Sequence, residues 1–405
     1  MILPGATLGI LGGGQLGRMF VVAARTMGYK IIVLDPDPDS PAAQLANTHL
    51  CADYSDPSAL VDLAHRCAAI TTEFENVPAA SLAYLAEFCP VRPSATAVAV
   101  TQDRIREKYF LHSNGFATAR YAVIEHPSQI VEAVKKTGLP ALIKLSRTGY
   151  DGKGQRLVRN LHEAELAFED FGNLPCVVEE LVAIQTEVSV VLARGADGSV
   201  AAYPPGENQH CDGILHISIS PARISSMLAA TATQAAFKIA ALLDYCGVMA
   251  VEFFVLKDGR LLVNEIAPRP HNTGHYTVDA CLTSQFEQQV RALCGLPLGD
   301  TTQFRTSVMV NLLGDLWYEG REPAWEHVLC NPRAKLHLYG KCEARLGRKM
   351  GHYTCLASSV DDALSHALEI LALIGADRLL DTVGFGCAEP GDEPHDPRSG
   401  IKQVS

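Results

Sequence analysis

The stretch Val251-Glu252-Phe253-Phe254-Val255-Leu256-Lys257-Asp258-Gly259-Arg260-Leu261-Leu262-Val263-Asn264-Glu265-Ile266 says more about the fold than any other part of the chain. Two β-prone apolar runs flank Asp-Gly, a pair favoured in two-residue type I′ hairpins because both central residues of that turn need positive φ. Such a loop sets Glu252 opposite Glu265, Phe254 opposite Val263 and Leu256 opposite Leu261, all on one face of the ribbon. The two glutamate Cβ atoms then lie about 4.5–5.5 Å apart in apolar company. Like charges at that spacing are destabilising unless something neutralises them. A shared proton is one answer. A divalent cation is the better one, because Mg2+ beside nucleotide phosphates takes hard oxygen ligands. Two edge-strand glutamates pointing at water are the bland alternative.

Downstream, Ala267-Pro268-Arg269-Pro270-His271-Asn272-Thr273-Gly274-His275-Tyr276 continues directly from the hairpin. Arg269 lies on the face of Glu265 if the strand continues. So dense a polar loop beside a metal site suits an anionic intermediate. Upstream, the strand-like Ala141-Leu142-Ile143-Lys144 precedes Gly149-Tyr150-Asp151-Gly152-Lys153-Gly154-Gln155. Its glycines, between β-rich runs near 121–124, 141–144, 176–180 and 187–193, suggest a backbone loop folding over a phosphate chain, with Lys144 meeting the phosphates as a point charge. A mobile hairpin tip with a solvated lysine accounts for the motif equally well on its own.

At the amino end, Thr7-Leu8-Gly9-Ile10-Leu11 leads into Gly12-Gly13-Gly14-Gln15-Leu16-Gly17, a helical pattern to about Met27 and a strand over 30–34 ending at Asp35. That order is the start of a βαβ unit and a parallel sheet. It matches the dinucleotide fingerprint formally, but a tight structural turn looks the same. A further strand ends near Thr71-Thr72, which puts Glu73-Phe74-Glu75-Asn76 beyond its carboxyl end, where open α/β sheets bind ligands. A charged helix is expected over about 97–113, one helix over about 225–244, and a loop-like break near 297–305. Near the other end, Lys341, Arg345, Arg348, Lys349 and His352 concentrate positive charge fit for a phosphate monoester, although a solvated basic turn reads the same alone.

The 405 residues exceed one ordinary core, and 48% apolar against 20% charged residues exclude a disordered chain. A net charge of −11 argues against a nucleic-acid coat or an anionic membrane surface, and no run suits a spanning helix. The first basic residue, Arg18, comes too late for a secretory signal. The 12 cysteines are scattered, with no metal spacing, as in a reduced cytoplasmic protein.

Taken together, Gly-Gly-Gly-Gln-Leu-Gly-Arg-Met, Gly-Tyr-Asp-Gly-Lys-Gly-Gln, Asn-Glu-Ile-Ala-Pro-Arg-Pro-His-Asn-Thr-Gly-His and Gly-Arg-Lys-Met-Gly-His resemble the ATP-grasp family of carboxyaminoimidazole ribonucleotide synthases, in order from residue 11 to 352. The resemblance implies a mixed α/β and α+β fold. Its parts are a Rossmann-like domain (1–96), a central ATP-grasp domain (97–298), a C-terminal domain (299–386) and a disordered tail (387–405). It implies a ligase of purine biosynthesis that joins ATP, bicarbonate and 5-aminoimidazole ribonucleotide through carboxyphosphate, as a cytoplasmic homodimer. Mg2+ accompanies ATP, without biotin or NAD, and with no nucleic-acid or membrane partner.

By matching position, the resemblance assigns ATP to Arg104, Lys144, Gly149, Tyr150, Asp151, Gly152, Lys153, Gly154 and Gln155. The adenine linker is Glu179, Glu180, Leu181 and Val182, the ribose ligand Glu187, and a further nucleotide contact His210. Glu252 and Glu265 match the metal ligands. Asn264 joins Glu265 at the nucleotide and is the nearest candidate for a third ligand, since Ala267 stands where the superfamily often has Asn. Gln15, Glu73, Arg348 and Lys349 match positions that hold the ribonucleotide. Arg269, His271 and Asn272 match the carboxyphosphate loop. Arg147 stands one place away from the family's usual arginine. The nearest rival, a formate-dependent glycinamide ribonucleotide transformylase, usually has Asp where Asn272 stands. Biotin carboxylase, a nicotinamide dehydrogenase and a non-catalytic nucleotide sensor fit less of the chain.

Overall fold

Largely buried runs form β1 (Thr7–Leu11), β2 (Lys30–Leu34) and β4 (Ala69–Thr72), which with the half-buried edge strand β3 (Thr48–Leu50) make the first sheet, all parallel, in the order β3-β2-β1-β4. Continuous burial is what a parallel sheet covered on both faces requires. The helix Gln15–Thr26 turns Leu16, Phe20, Val21 and Ala24 onto one side of it. The computed structural model describes residues 1–147, 149, 154–317 and 321–375. The expected tail and the loop residues Tyr150, Asp151, Gly152 and Lys153 lie outside the described residues, while Gly149, Gly154 and Gln155 lie within them.

The single charged helix expected over 97–113 is two helices, Ala95–Thr101 and Arg104–Ser113. The break is Asp103, whose backbone is extended and whose carboxylate accepts from the N–H groups of Ile105 and Arg106. This is N-capping, which satisfies orphan donors of a new helix. The restart turns Glu107 and Lys108 inward.

A second, antiparallel sheet comprises β5 (Tyr121–Ile124), β6 (Ala141–Leu145), β7 (Gln155–Val158) and β8 (Cys176–Glu180) in the order β5-β8-β6-β7. The helices Ile130–Thr137 and Leu161–Asp170 bury its Ile124, Ile143, Val158 and Val178.

The third sheet has nine strands. They are β9 (Ile184–Arg194), β10 (Val200–Ala202), β11 (Gly206–Cys211), β12 (Ile214–Ser220), β13 (Gly247–Leu256), β14 (Leu261–Ala267), β15 (Thr306–Leu313), β16 (Ala334–Leu338) and β17 (Lys349–Ala357). Their order is β14-β13-β9-β11-β12-β15-β17-β16, with β10 beside β9. Pairing of β12 with β15, Ile217 opposite Val310, carries the sheet without a break into the last part of the chain. The helix Ser226–Leu242 buries Ala232, Ala236, Ile239 and Ala240 in the core that β9 and β13 share.

The hairpin β13–β14 corrects the expected register and keeps the glutamate pair. Leu256 N–H donates to Arg260 O and Gly259 N–H to Leu256 O, both at 2.9 Å, so the loop spans Lys257, Asp258 and Gly259. Only Gly259 has positive φ there, at 84°, so a type I′ turn does not form. Val255 therefore faces Leu261, and Phe253 rather than Phe254 faces Val263. A bulge then restores the offset, because Asn264 is the extra residue between Val263 and Glu265, and Glu252 faces Glu265 as expected.

Candidate active site

The carboxyl edge of the first sheet, the inner face of the second and the β13–β14 hairpin enclose one cleft of about 700 Å³. At its centre Glu252 and Glu265 face each other in unlike surroundings. Burial and the charge of Glu265 push the Glu252 carboxyl up to about 7. Burial works to raise Glu265 as well, but Arg104, Lys144 and Arg269 outweigh it and hold that carboxyl below its usual range. Arg104 Nη1 donates to Glu265 Oε2 at 3.0 Å. At Glu252 the charges of His210 and Lys349 work downward, but burial and Glu265 prevail; His271 Nε2 is 3.6 Å away, and burial beside Arg269 and Lys349 pushes that imidazole far below its usual range, towards neutrality. Asn264 Oδ1, on the bulge between them in the cleft wall, is buried with no hydrogen-bond partner among the described residues. Two carboxylates and an orphaned amide oxygen suit a hard divalent cation.

Lys144 reaches the cleft from β6. Its Nζ donates to Glu179 Oε2 at 2.8 Å, and Lys108 Nζ lies 3.1 Å from the other oxygen of Glu179. Burial alone would raise Glu179, yet the lysines hold it well below the carboxylate range. Lys108 also donates to the bulge carbonyl of Asn264 at 3.2 Å. Beside it, Glu107 Oε1 accepts from Ile266 N–H at 2.6 Å, and burial with the charge of Glu265 pushes Glu107 up to about 8. Sequence reasoning missed Glu107 and Lys108. The run Arg-Glu-Lys has the look of a solvated helix face, and the cap at Asp103 marks only where the helix restarts, not which face it buries.

Of the other nucleotide assignments, Glu187 and His210 line the cleft, whereas Glu179, Glu180, Leu181 and Val182 are not among its lining residues. His210 Nδ1 lies 2.8 Å from Glu187 Oε2, and this pairing outweighs burial to raise His210. Glu180 ends β8 and forms an ion pair with Arg120, while Leu181 and Val182 lie in the coil towards β9. Gly149, Gly154 and Gln155 line the cleft near Lys144.

At the amino-terminal end the glycine turn is already occupied by protein carboxylates. Gly13 N–H donates to Asp35 Oδ2 at 2.6 Å, and Gly14 and Gly17 donate to the two oxygens of Glu73 at 2.5 and 2.7 Å. A Cβ at Gly14 would meet Glu73 Oε1 at 2.5 Å, so a side chain there would force the Glu73 carboxylate to shift. The donors that cradle a pyrophosphate in a dinucleotide site are spent on Glu73 here. Gln15 Oε1 accepts from Lys341 Nζ at 2.8 Å, and Lys341 also donates to Lys349 O at 2.5 Å. Gln15, Glu73 and Lys349 line the cleft; Arg348 is not among its lining residues and donates to Glu343 O at 2.9 Å.

Between these ends lies the loop that follows β14. Gln285 clamps His271 through both backbone groups, at 2.8 and 2.7 Å, while His271 Nδ1 meets Thr273 Oγ1 at 2.9 Å. Asn272 and Asn311 exchange reciprocal amide bonds of 3.0 and 2.7 Å in the interior, so the Asn272 side chain anchors the loop to β15. Asn311 was not foreseen. Nearby, His337 and His352 stack at 4.6 Å with planes 16° apart beside Asp279. Near-parallel rings cannot both aim in-plane lone pairs at one ion, so this cluster is not a preformed chelate.

A small antiparallel sheet set against a larger one, with a lysine on the first and facing glutamates on the second, defines an ATP-grasp enzyme, an ATP-dependent ligase. Three family models match in sequence order: the ribonucleotide synthetase preATP-grasp domain at residues 5–102, the ATP-grasp domain at 109–286 and the phosphoribosylaminoimidazole carboxylase C-terminal domain at 307–366. The chain is 48% identical over 353 residues to the N5-carboxyaminoimidazole ribonucleotide synthase of Brucella melitensis, covering 87% of this chain and 96% of that protein. It is 42% identical to the protein of that name from Bacillus subtilis, over 89% of this chain and 94% of the other. Among solved structures, an Aspergillus clavatus N5-carboxyaminoimidazole synthase in complex with ADP and 5-aminoimidazole ribonucleotide aligns with a TM-score of 0.84 at 31% identity, over 92% of this chain and 99% of that one. The chain belongs to the N5-carboxyaminoimidazole ribonucleotide synthase family.

Proposed function

We propose that this protein carboxylates the exocyclic amine of 5-aminoimidazole ribonucleotide at the expense of ATP, with bicarbonate as the carbon source, in purine biosynthesis. The observation that carries this reading is the continuity of one cleft from Lys144 and the facing glutamates, past Arg269, to Gln15, Glu73 and Lys349. Nucleotide chemistry and a second substrate fit its two ends. The same reading takes the protein as a cytoplasmic homodimer divided near residues 96 and 298, and sedimentation tests the dimer.

In this mechanism Arg104, Lys144 and the backbone of the second glycine loop hold the phosphates of ATP. Residues 179–182, Glu187 and His210 hold its nucleoside. Glu252, Glu265 and Asn264 would hold Mg2+, whose chemistry there is to neutralise charge on phosphate oxygens. Arg269 orients bicarbonate so that one of its oxygens attacks the γ-phosphorus, the bond to ADP breaks and carboxyphosphate forms. Lys144 offsets charge that develops on the departing phosphates. Loss of phosphate then leaves CO2 inside the cleft, and the amine held near Glu73 and Gln15 captures it before water enters. Bicarbonate labelled with 18O tests this route. The expected result is one labelled oxygen in each phosphate released; unlabelled phosphate would sink it.

A further inference from the structure

Glu75 and Arg269 meet across the cleft from distant parts of the chain. Glu75 lies beyond β4 in the loop that carries Glu73, and Arg269 follows the end of β14. Arg269 Nε donates to Glu75 Oε2 at 2.5 Å, and both side chains line the cavity that holds Glu252 and Glu265. Among the described residues, the other hydrogen bond of this guanidinium goes to the adjacent carbonyl of Pro270, at 3.3 Å. Its anionic partner in the cleft is therefore a carboxylate supplied by the protein itself.

A carboxylate shares a planar, negatively charged O–C–O group with bicarbonate and with the carboxyl end of carboxyphosphate. A guanidinium fork that recognises one recognises the others. Glu73, two residues before Glu75, is tied to the glycine turn next to Gln15. A ligand entering that corner presses on the same short loop.

We propose that Glu75 is a positioning residue that competes with the bicarbonate-derived anion for Arg269 and yields the guanidinium when the ribonucleotide displaces its loop. This rests on the carboxylation reading. An internal competitor lowers the apparent affinity of the external anion by the fraction of time it holds the seat. Its consequence is restraint: without the acceptor amine, Arg269 stays occupied and little carboxyphosphate forms to be hydrolysed back to bicarbonate and phosphate.

The test uses the full chain with Mg-ATP. In Glu75→Gln, the KM for bicarbonate in ribonucleotide-independent ADP release is expected to fall about 3- to 10-fold, because every molecule then has a competent Arg269 without help from the ribonucleotide. ADP release without the ribonucleotide is expected to rise by a comparable factor, while kcat with all substrates changes little. If the Gln variant melts below the assay temperature, Glu75→Ser carries the same comparison. An unchanged or raised bicarbonate KM, with unchanged ribonucleotide-independent release, overturns the proposal; a raised KM would mean that Glu75 orders Arg269 rather than competes for it. Failure of the carboxylation reading shows separately, as unmodified protein whose ADP release ignores bicarbonate and ribonucleotide together.

Discussion

Glu265 and Glu252 are chemically identical and opposite each other, yet their carboxyls are shifted in opposite directions, Glu265 downward beside Arg104 and Glu252 upward by burial. Glu265→Gln keeps the shape and removes the charge on which both the cation and Arg104 depend. We expect kcat to fall at least about 100-fold with the fold intact by circular dichroism, a loss typical of removing a group that stabilises transition-state charge; near-normal turnover would refute the metal assignment. Glu107 offers a test by pH. Its folded carboxyl is raised to about 8, chiefly by burial, with Glu265 adding to it and Lys108 and Arg104 opposing. The folded protein thus keeps a proton that the unfolded chain loses above about 4.3. Stability on this account declines as pH rises from about 4.3 towards 8 and levels off above that. Glu107→Gln keeps an acceptor for Ile266 N–H and removes the titration, so its melting temperature should fall less than that of the unmodified protein across that window. Parallel curves would count against the buried carboxyl. Nothing in a single sequence separates these cases: the facing glutamates were legible from spacing, but the inward turn of Glu107 and Lys108 depends on what packs over their helix.

The β13–β14 hairpin shows how a correct pairing can come from an incomplete reading. Asp-Gly marks the turn correctly, but the loop takes one residue more than expected and the bulge at Asn264 takes it back. Alternation along a strand cannot reveal a bulge, because the extra residue is stabilised by distant partners, here Lys108 on the Asn264 carbonyl and Glu107 on the Ile266 N–H. Gly259 holds a φ of 84°, and a Cβ there would meet nothing within 4 Å. Gly259→Ala should therefore cost only the backbone term, about 1–2 kcal/mol in chemical denaturation. A neutral substitution would mean that the turn relaxes to another type. The loop after β14 was legible as polar. That the Asn272 side chain pairs with Asn311 was not, since the two asparagines meet only after β15 joins the sheet.

At the scale of the molecule, the last part of the chain, expected as a C-terminal domain, continues the central sheet through β12 and β15. Strand pairs so distant in sequence leave no local signal. Reciprocal ties fix the first sheet to the rest: Gln289 donates to Thr71 and accepts from Val248, and Arg92 donates to the carbonyls of Ala292 and Leu293. These ties bring Glu73 and Glu75 to the same cleft as Arg269 and Lys144, and a shared cleft is the physical basis for coupling ATP cleavage to carboxylation. The most direct test is ADP release from Mg-ATP, measured with bicarbonate and 5-aminoimidazole ribonucleotide singly and together, beside a control with formate and glycinamide ribonucleotide. The account predicts sustained release only when bicarbonate and the aminoimidazole nucleotide are both present. Release driven by formate and glycinamide ribonucleotide, or none under any condition, would contradict it.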